Sequence, residues 1–268
     1  MTADGHDHGR RRYLTAKRSV DKRARNEHVR RRLLAELPAT PRVVEWGPGV
    51  GLSVPTLCEW TSPESYHGVE ADSTLAAFAR DLVPRLFARH GEEPPEMQFT
   101  VGDALATETE RGDLLYAQSF FDLVPIARAL DAVQERVAPG GIAYAPLTFD
   151  GKTTFLPRHP ADERVLGAFH DSIDATDGRS RAATALVEEL GERDATILAV
   201  GSSDWVVRPH EGEYPADERY FLSAILDIVA DALGAQARED GWLTTRRAQV
   251  AAGQLTYVAN NHDVLWRP

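Results

Sequence analysis

The chain has 268 residues, 43% of them hydrophobic, which suits one large domain or a domain with a sizeable insertion and excludes wholesale disorder. No apolar run approaches the roughly 20 residues that span a bilayer, the N-terminus lacks an apolar signal region, and the single cysteine, Cys58, excludes an internal disulfide or a Cys-based zinc site. The net charge of -11 argues against a nucleic-acid partner for the whole, yet residues 1–32 carry 11 Arg/Lys against 4 Asp/Glu, so a basic arm precedes an acidic body. A cytoplasmic protein with no membrane partner is the expectation, and a homo-oligomer stays open.

Residues 1–11 read as a polar, disordered tail. Its His6-Asp7-His8 cluster lacks the rigid frame that a metal site needs, and no metal is expected. From Tyr13 to Leu37 apolar residues recur near helical spacing (Leu14, Val20, Ala24, Val29, Leu33, Leu34, Leu37), which predicts a helical arm of one or two helices, stopped by Pro38 and Pro41. We divide the chain accordingly into a tail and arm, 1–37, whose helix is expected to pack on the acidic body or also to cover the active site as a lid, and a domain over 38–268.

Within that domain Arg42–Trp46 reads as a short buried strand running into a glycine-rich turn, and Leu52–Glu59 as the helix after it. Tyr66–Glu70, Gln98–Val101, Leu114–Gln118 and Ile142–Thr148 read as the next four strands. Helices are predicted over Thr74–His90 and Ala127–Val137, and Pro139-Gly140-Gly141 reads as a turn before the fifth strand. Strand and helix alternate over about 110 residues, the order of a parallel sheet with right-handed crossovers. Thr196–Val200 and Leu255–Ala259 would complete seven strands. The expected fold is therefore α/β: a Rossmann-like, mostly parallel seven-stranded sheet with helices on both faces. Two insertions interrupt it, one at about 150–195 after strand five and a helical one at about 210–250.

The most informative segment is Val43-Val44-Glu45-Trp46-Gly47-Pro48-Gly49-Val50-Gly51. Glycines at alternate positions let the backbone turn tightly and let a ligand touch main-chain atoms. Glu70 ends the second strand, where a carboxylate can accept hydrogen bonds from both ribose hydroxyls of an adenosine ligand. A dinucleotide brings a pyrophosphate, which the carboxylate of Glu45 just before the glycines would repel. The spacing is also Gly-x-Gly-x-Gly, not the dinucleotide pattern Gly-x-Gly-x-x-Gly. A ligand with an ammonium and a sulfonium suits that acid better.

Glu45 to Gly51 resembles the first motif of class I S-adenosylmethionine (SAM)-dependent methyltransferases. Gly68-Val69-Glu70-Ala71-Asp72 resembles the second, Val101-Gly102-Asp103-Ala104 the third, Asp113–Ser119 the fourth, and Val137-Ala138-Pro139-Gly140-Gly141 the loop before strand five. The likeness covers residues 42–148. Ser119-Phe120-Phe121-Asp122-Leu123-Val124 and Leu147-Thr148-Phe149-Asp150-Gly151 further resemble a bacterial subgroup of that family. The resemblance implies SAM as cofactor, held by Glu45, Gly47, Pro48, Gly49, Gly51, Glu70, Ala71, Asp103, Ala104, Gln118 and Ser119, with Lys17 closing from the arm. It implies methyl transfer, and a small-molecule acceptor is the leading expectation.

Methyl transfer needs a general base only when the nucleophile arrives protonated. The candidates are His170 in the insertion, Asp122 after strand four, and Tyr13, one helical turn from Lys17. His159 and Asp150 are weaker candidates, and Phe155 and Trp205 are candidate walls of an acceptor pocket. His170 and Asp174 share a helix face but lack a third metal partner, and His262 and Asp263 read as surface turn residues. Three alternatives remain: an RNA methyltransferase using the basic arm, a non-catalytic SAM-binding protein, and an NAD-dependent oxidoreductase. The Asn/Asp-Pro-Pro-Tyr motif of amino-methylating nucleic-acid enzymes is replaced by Ala117-Gln118-Ser119-Phe120.

Overall fold

The structure, a computed structural model, describes residues 11–175 and 179–268. The His6-Asp7-His8 cluster and the rest of the tail up to residue 10 lie outside the described residues.

Strand β1 (Arg42–Trp46) is buried from Val43 to Trp46, as a strand covered on both faces must be. It lies between β2 (Ser65–Glu70) and β4 (Gly112–Tyr116), parallel to both. Strand β3 (Glu96–Val101) extends the sheet beyond β2, and β5 (Val137–Leu156) extends it beyond β4, again in parallel. The antiparallel strand β8 (Thr256–Arg267) and then β6 (Thr196–Ser202) complete the order β3-β2-β1-β4-β5-β8-β6.

An eighth strand, β7 (Trp205–Val207), pairs with the first half of β8. Its three residues are too short to carry an alternation that sequence could reveal. The strand expected at Leu255–Ala259 continues to Arg267, and β5 is far longer than Ile142–Thr148. Pro139-Gly140-Gly141 is no boundary: Gly112 faces Val137 and Leu114 faces Ile142, so the extra residues bulge within β5, with Gly140 at φ +79°. At its far end β5 stays paired with β8 through a second irregularity between Phe149 and Thr153. The segment that follows strand five thus begins as sheet.

Alternation along the central strands builds two cores. Val43, Leu114, Ile142 and Leu265 face one side, against α2 (Glu27–Glu36), α3 (Ser53–Trp60) and α4 (Ser73–His90). Val44, Leu115, Ala143 and Val264 face the other, against α5 (Ile126–Arg136) and α7 (Ala182–Gly191). A third core joins β7 and the ends of β5 and β8 to α6 (Asp162–Asp174), α8 (Glu218–Leu233) and α9 (Trp242–Ala251).

The arm is built into these cores. Residues 11–16 are helical, α1 spans Arg18–Ala24, and Asn26 caps α2 by accepting from the amides of His28 and Val29. Ala16 and Val20 belong to the third core, and Val29 and Leu33 to the first. Ser19 and Arg23 both bind the fully buried carboxylate of Glu218 on α8. Asp263, expected at the surface, is buried in β8. It accepts from Tyr144 (2.7 Å), the Leu147 amide (2.9 Å) and the Asn26 amide (2.9 Å), tying the arm to β5. Its neighbour His262 stands 3.6 Å from Asp150.

Candidate active site

Chain order reverses between β1 and β4: β2 and β3 go one way, β5 the other. Such a switch point leaves a crevice at the carboxyl ends of the strands. A cavity of about 370 Å³ lies there. It is lined by Lys17, Glu45, Gly47, Pro48, Gly49, Glu70, Ala71, Asp103, Ala104, Gln118 and Ser119.

The loop after β1 is shaped by its acids. Glu45 is buried beneath it and accepts hydrogen bonds from Ser53 (2.6 Å) and Tyr66 (2.7 Å). Burial pushes its carboxyl up to about 7, against the pull of those two hydrogen bonds. Glu70 uses both oxygens to hold backbone: Oε2 accepts from the Gly49 amide (2.8 Å) and Oε1 from the Asp72 amide (3.0 Å). Gly49 has φ +56°, and a Cβ there would lie 3.1 Å from Leu14 of the arm. Asp103 accepts from the Leu105 amide (2.9 Å) and pairs with Arg128 (3.2 Å), so it makes the turn and also reaches the cavity.

The raised pKa of Glu45 predicts a pH dependence of stability. Its folded pKa exceeds the unfolded value of 4.5, so the folded state binds the extra proton between them. The stabilisation is complete below pH 4.5 and is lost as pH rises through about 7. Glu45→Gln should therefore gain on the wild type by roughly 3 kcal/mol between pH 4 and pH 8. Thermal melts of both proteins across that range measure the difference, and parallel curves would contradict it.

The arm closes the other side of this cavity. Gln118 accepts from Arg25 (2.5 Å) and Tyr116 (2.9 Å) and donates to Asp21 (3.0 Å). Lys17 stands 3.6 Å from Asp21 and 3.5 Å from Ser119. Burial raises the pKa of Asp21, while Lys17 and Arg25 pull it down. Asp21 Oδ1 and Arg25 Nε are both buried without a hydrogen-bond partner, on side chains that line the cavity. Buried orphans of opposite sign are costly unless a ligand satisfies them.

A second cavity, about 590 Å³, shares Ser119 and Leu123 with the first. Tyr13, Asp122 and Trp205 line it, and Tyr13 is stacked on Phe221 at 5.8 Å. Ser119, just past the end of β4, and Leu147, at an irregularity within the adjacent β5, take left-handed φ angles of 48° and 57°. Their backbones are held by Pro146 and Asp263. His170 does not line either cavity. Its Nε2 lies 3.1 Å from Thr153 Oγ1, which does line the second, and burial lowers its pKa. Phe155 is core, packed on Tyr257 at 5.1 Å and Trp242 at 5.7 Å. Among the described residues no three His, Cys, Asp or Glu side chains group as metal ligands.

No family profile and no curated protein sequence matches the chain. Solved structures do match. A candidate methyltransferase from Bacillus halodurans C-125 superposes with a TM-score of 0.53 at 11% identity, over 90% of this chain and 97% of that one. A candidate sarcosine dimethylglycine methyltransferase from Galdieria sulphuraria superposes with a TM-score of 0.51 at 14% identity, over 90% and 83%. The chain has the class I SAM-dependent methyltransferase fold.

On that fold one expected ligand residue lies outside the cavity lining. Gly51 does not line the cavity; at φ +75° a Cβ would sit 2.7 Å from Val83 and 3.1 Å from Ala79, so this glycine lets the loop lie against α4. Sequence reasoning also missed Leu14, Arg18, Asp21 and Arg25, all of which line the cavity. A signal for two of them existed. Tyr13, Lys17, Asp21 and Arg25 recur every four residues, the spacing of one helix face.

Proposed function

We propose that the chain is an S-adenosylmethionine-dependent methyltransferase acting on a small molecule. The observation that carries this reading is the charge arrangement at the glycine loop. Glu45, Glu70 and Asp21 line one cavity, and so does Arg25; the Oδ1 of Asp21 and the Nε of Arg25 are both buried without a hydrogen-bond partner. A pyrophosphate would meet three carboxylates there. A ligand with an ammonium, a carboxylate and a sulfonium finds partners of both signs.

In this reading Glu70 would hold the ribose hydroxyls and Asp103 the adenine amino group. Asp21 and Glu45 would face the ammonium end, and Arg25, with Lys17, the carboxylate. The cofactor supplies an electrophilic methyl group when bound, so the protein's task is to orient the acceptor and exclude water. Ser119 and Leu123, common to both cavities, would form the passage between donor and acceptor. Tyr13 and Asp122 are the candidate catalytic groups on the acceptor side; His170 stays behind Thr153 as a support. The described part of the arm, from residue 11 on, serves as the roof over both cavities, and Phe169, Ile225 and Val229, from the segments at about 150–195 and 210–250, belong to the acceptor walls.

A small-molecule acceptor and a cytoplasmic setting belong to the same reading. Among the described residues no helix is long and apolar enough to cross a membrane. The arm favours it over RNA: Arg23 is bound to the buried Glu218, and Arg25 turns inward, to Gln118 and the cavity. The test is calorimetric. Glu70→Ala should weaken SAM binding by about 1–3 kcal/mol, the cost of leaving buried charge-assisted bonds unmade. Unchanged affinity would move the ribose site elsewhere.

A further inference from the structure

Resting on the methyltransferase reading, the second cavity narrows the acceptor. We infer that it selects a neutral, apolar, hydroxyl-bearing molecule, and that Asp122 takes the hydroxyl proton as the methyl group is transferred.

The walls carry the first part. Phe149, Phe169, Trp205 and Tyr257 line the cavity together with aliphatic side chains of α8, and among the described residues no Arg, Lys or His side chain does. An acceptor with a buried carboxylate or phosphate would go unpaired there, at a cost far above that of a neutral group. A cationic acceptor is disfavoured from the other side. Lys17 Nζ stands at the shared wall, 3.5 Å from Ser119 and 5.1 Å from the centre of the Trp205 ring. A protonated amine would face that ammonium and the sulfonium of the donor. What remains is a neutral molecule that packs on aromatic faces.

Asp122 carries the second part. Among the described residues it is the one charged side chain of the lining, and its Oδ1 is buried without a hydrogen-bond partner. A ligand hydroxyl is the donor that would satisfy it. Burial pushes its carboxyl up to about 6, opposed by Lys17. The other titratable groups facing it are Tyr13 on the arm and Tyr257 on β8, both kept protonated by burial. At neutral pH Asp122 is therefore ionised yet more basic than an exposed carboxylate, the state a general base needs. The hydroxyl oxygen forms the bond to the methyl carbon as the carbon–sulfur bond breaks. The electron pair of that bond stays on sulfur, and the proton passes to Asp122 and then to solvent.

The test uses three naphthalene probes of one shape. With the full chain at pH 7.5, binding of 2-naphthol, 2-naphthoate and 2-(aminomethyl)naphthalene is followed by calorimetry. The naphthol should bind about tenfold tighter than either charged probe: the carboxylate would stand unpaired against Asp122, and the ammonium, although Asp122 attracts it, would meet Lys17 at the shared wall. Equal or tighter binding of the carboxylate or the amine overturns the selection. With SAM present, 2-naphthol should yield its methyl ether, with a rate that rises with pH through about 6. Asp122→Asn should lower that rate about 100-fold and abolish the rise, and Asp122→Glu should restore part of both. Bound naphthol that gives no ether, or an Asp122→Asn variant at full rate, overturns the proton-acceptor role. SAM affinity, measured without any probe, separates the two readings. Its absence defeats the methyltransferase assignment, whereas its presence with the wrong probe preference defeats only this inference.

Discussion

Gly49→Val should raise the dissociation constant for SAM by about 100-fold or more. Two effects combine. The residue sits at φ +56°, a region that costs a β-branched side chain about 1–3 kcal/mol. Its Cβ would also stand 3.1 Å from Leu14, so the branched methyl groups have nowhere to go except toward the arm or into the cavity. Either displacement breaks the hydrogen bond from the Gly49 amide to Glu70, the residue assigned to the ribose. The expected signature is lost binding with a nearly wild-type circular dichroism spectrum. A valine variant that binds SAM normally would remove the loop from the cofactor site.

Deletion of residues 1–32 should cost the fold as well as the activity. A detachable lid would lose turnover and keep its melting temperature. Here Val20 and Val29 would be removed and Leu33 uncovered, all of them 0–1% exposed in the intact chain. At roughly 1.5–3 kcal/mol for each side chain, the loss approaches the whole stability of an ordinary domain. Asp263 would lose its bond from the Asn26 amide, and Glu218 its bonds from Ser19 and Arg23. Thermal denaturation should show a melting point lowered by more than 10 °C, or no cooperative transition. A truncated protein that melts like the full chain would contradict the packing role of the arm.

The parts of this molecule that sequence makes legible are those whose physics is local. Val43 to Trp46 is apolar except for Glu45, and closely spaced glycines after such a strand mark a tight turn. The helices α3, α4 and α5 and the first cavity's lining residues from Glu45 to Ser119 follow from such short-range patterns, because each motif closes one strand. Long-range contacts escape the same reasoning. Gly51 looks like its two neighbours in the loop, and only the approach of Val83 from α4 gives it a different task. Asp263 reads as a turn acid until Tyr144, Leu147 and Asn26 converge on it. The glycines of β5 read as a break, although the sheet absorbs them as bulges. Asp21 and Arg25 were visible as a helical stripe but not as a wall, since nothing in the arm says which surface it will cover.

Titration of the full chain with SAM and with NAD, side by side in one calorimeter, tests the central assignment most directly. Saturable binding of SAM at one molecule per chain, with no heat from NAD, is the predicted result. Binding of NAD in preference to SAM, or silence toward both, would contradict the claim that this acidic, glycine-bent crevice is a methyl donor's seat.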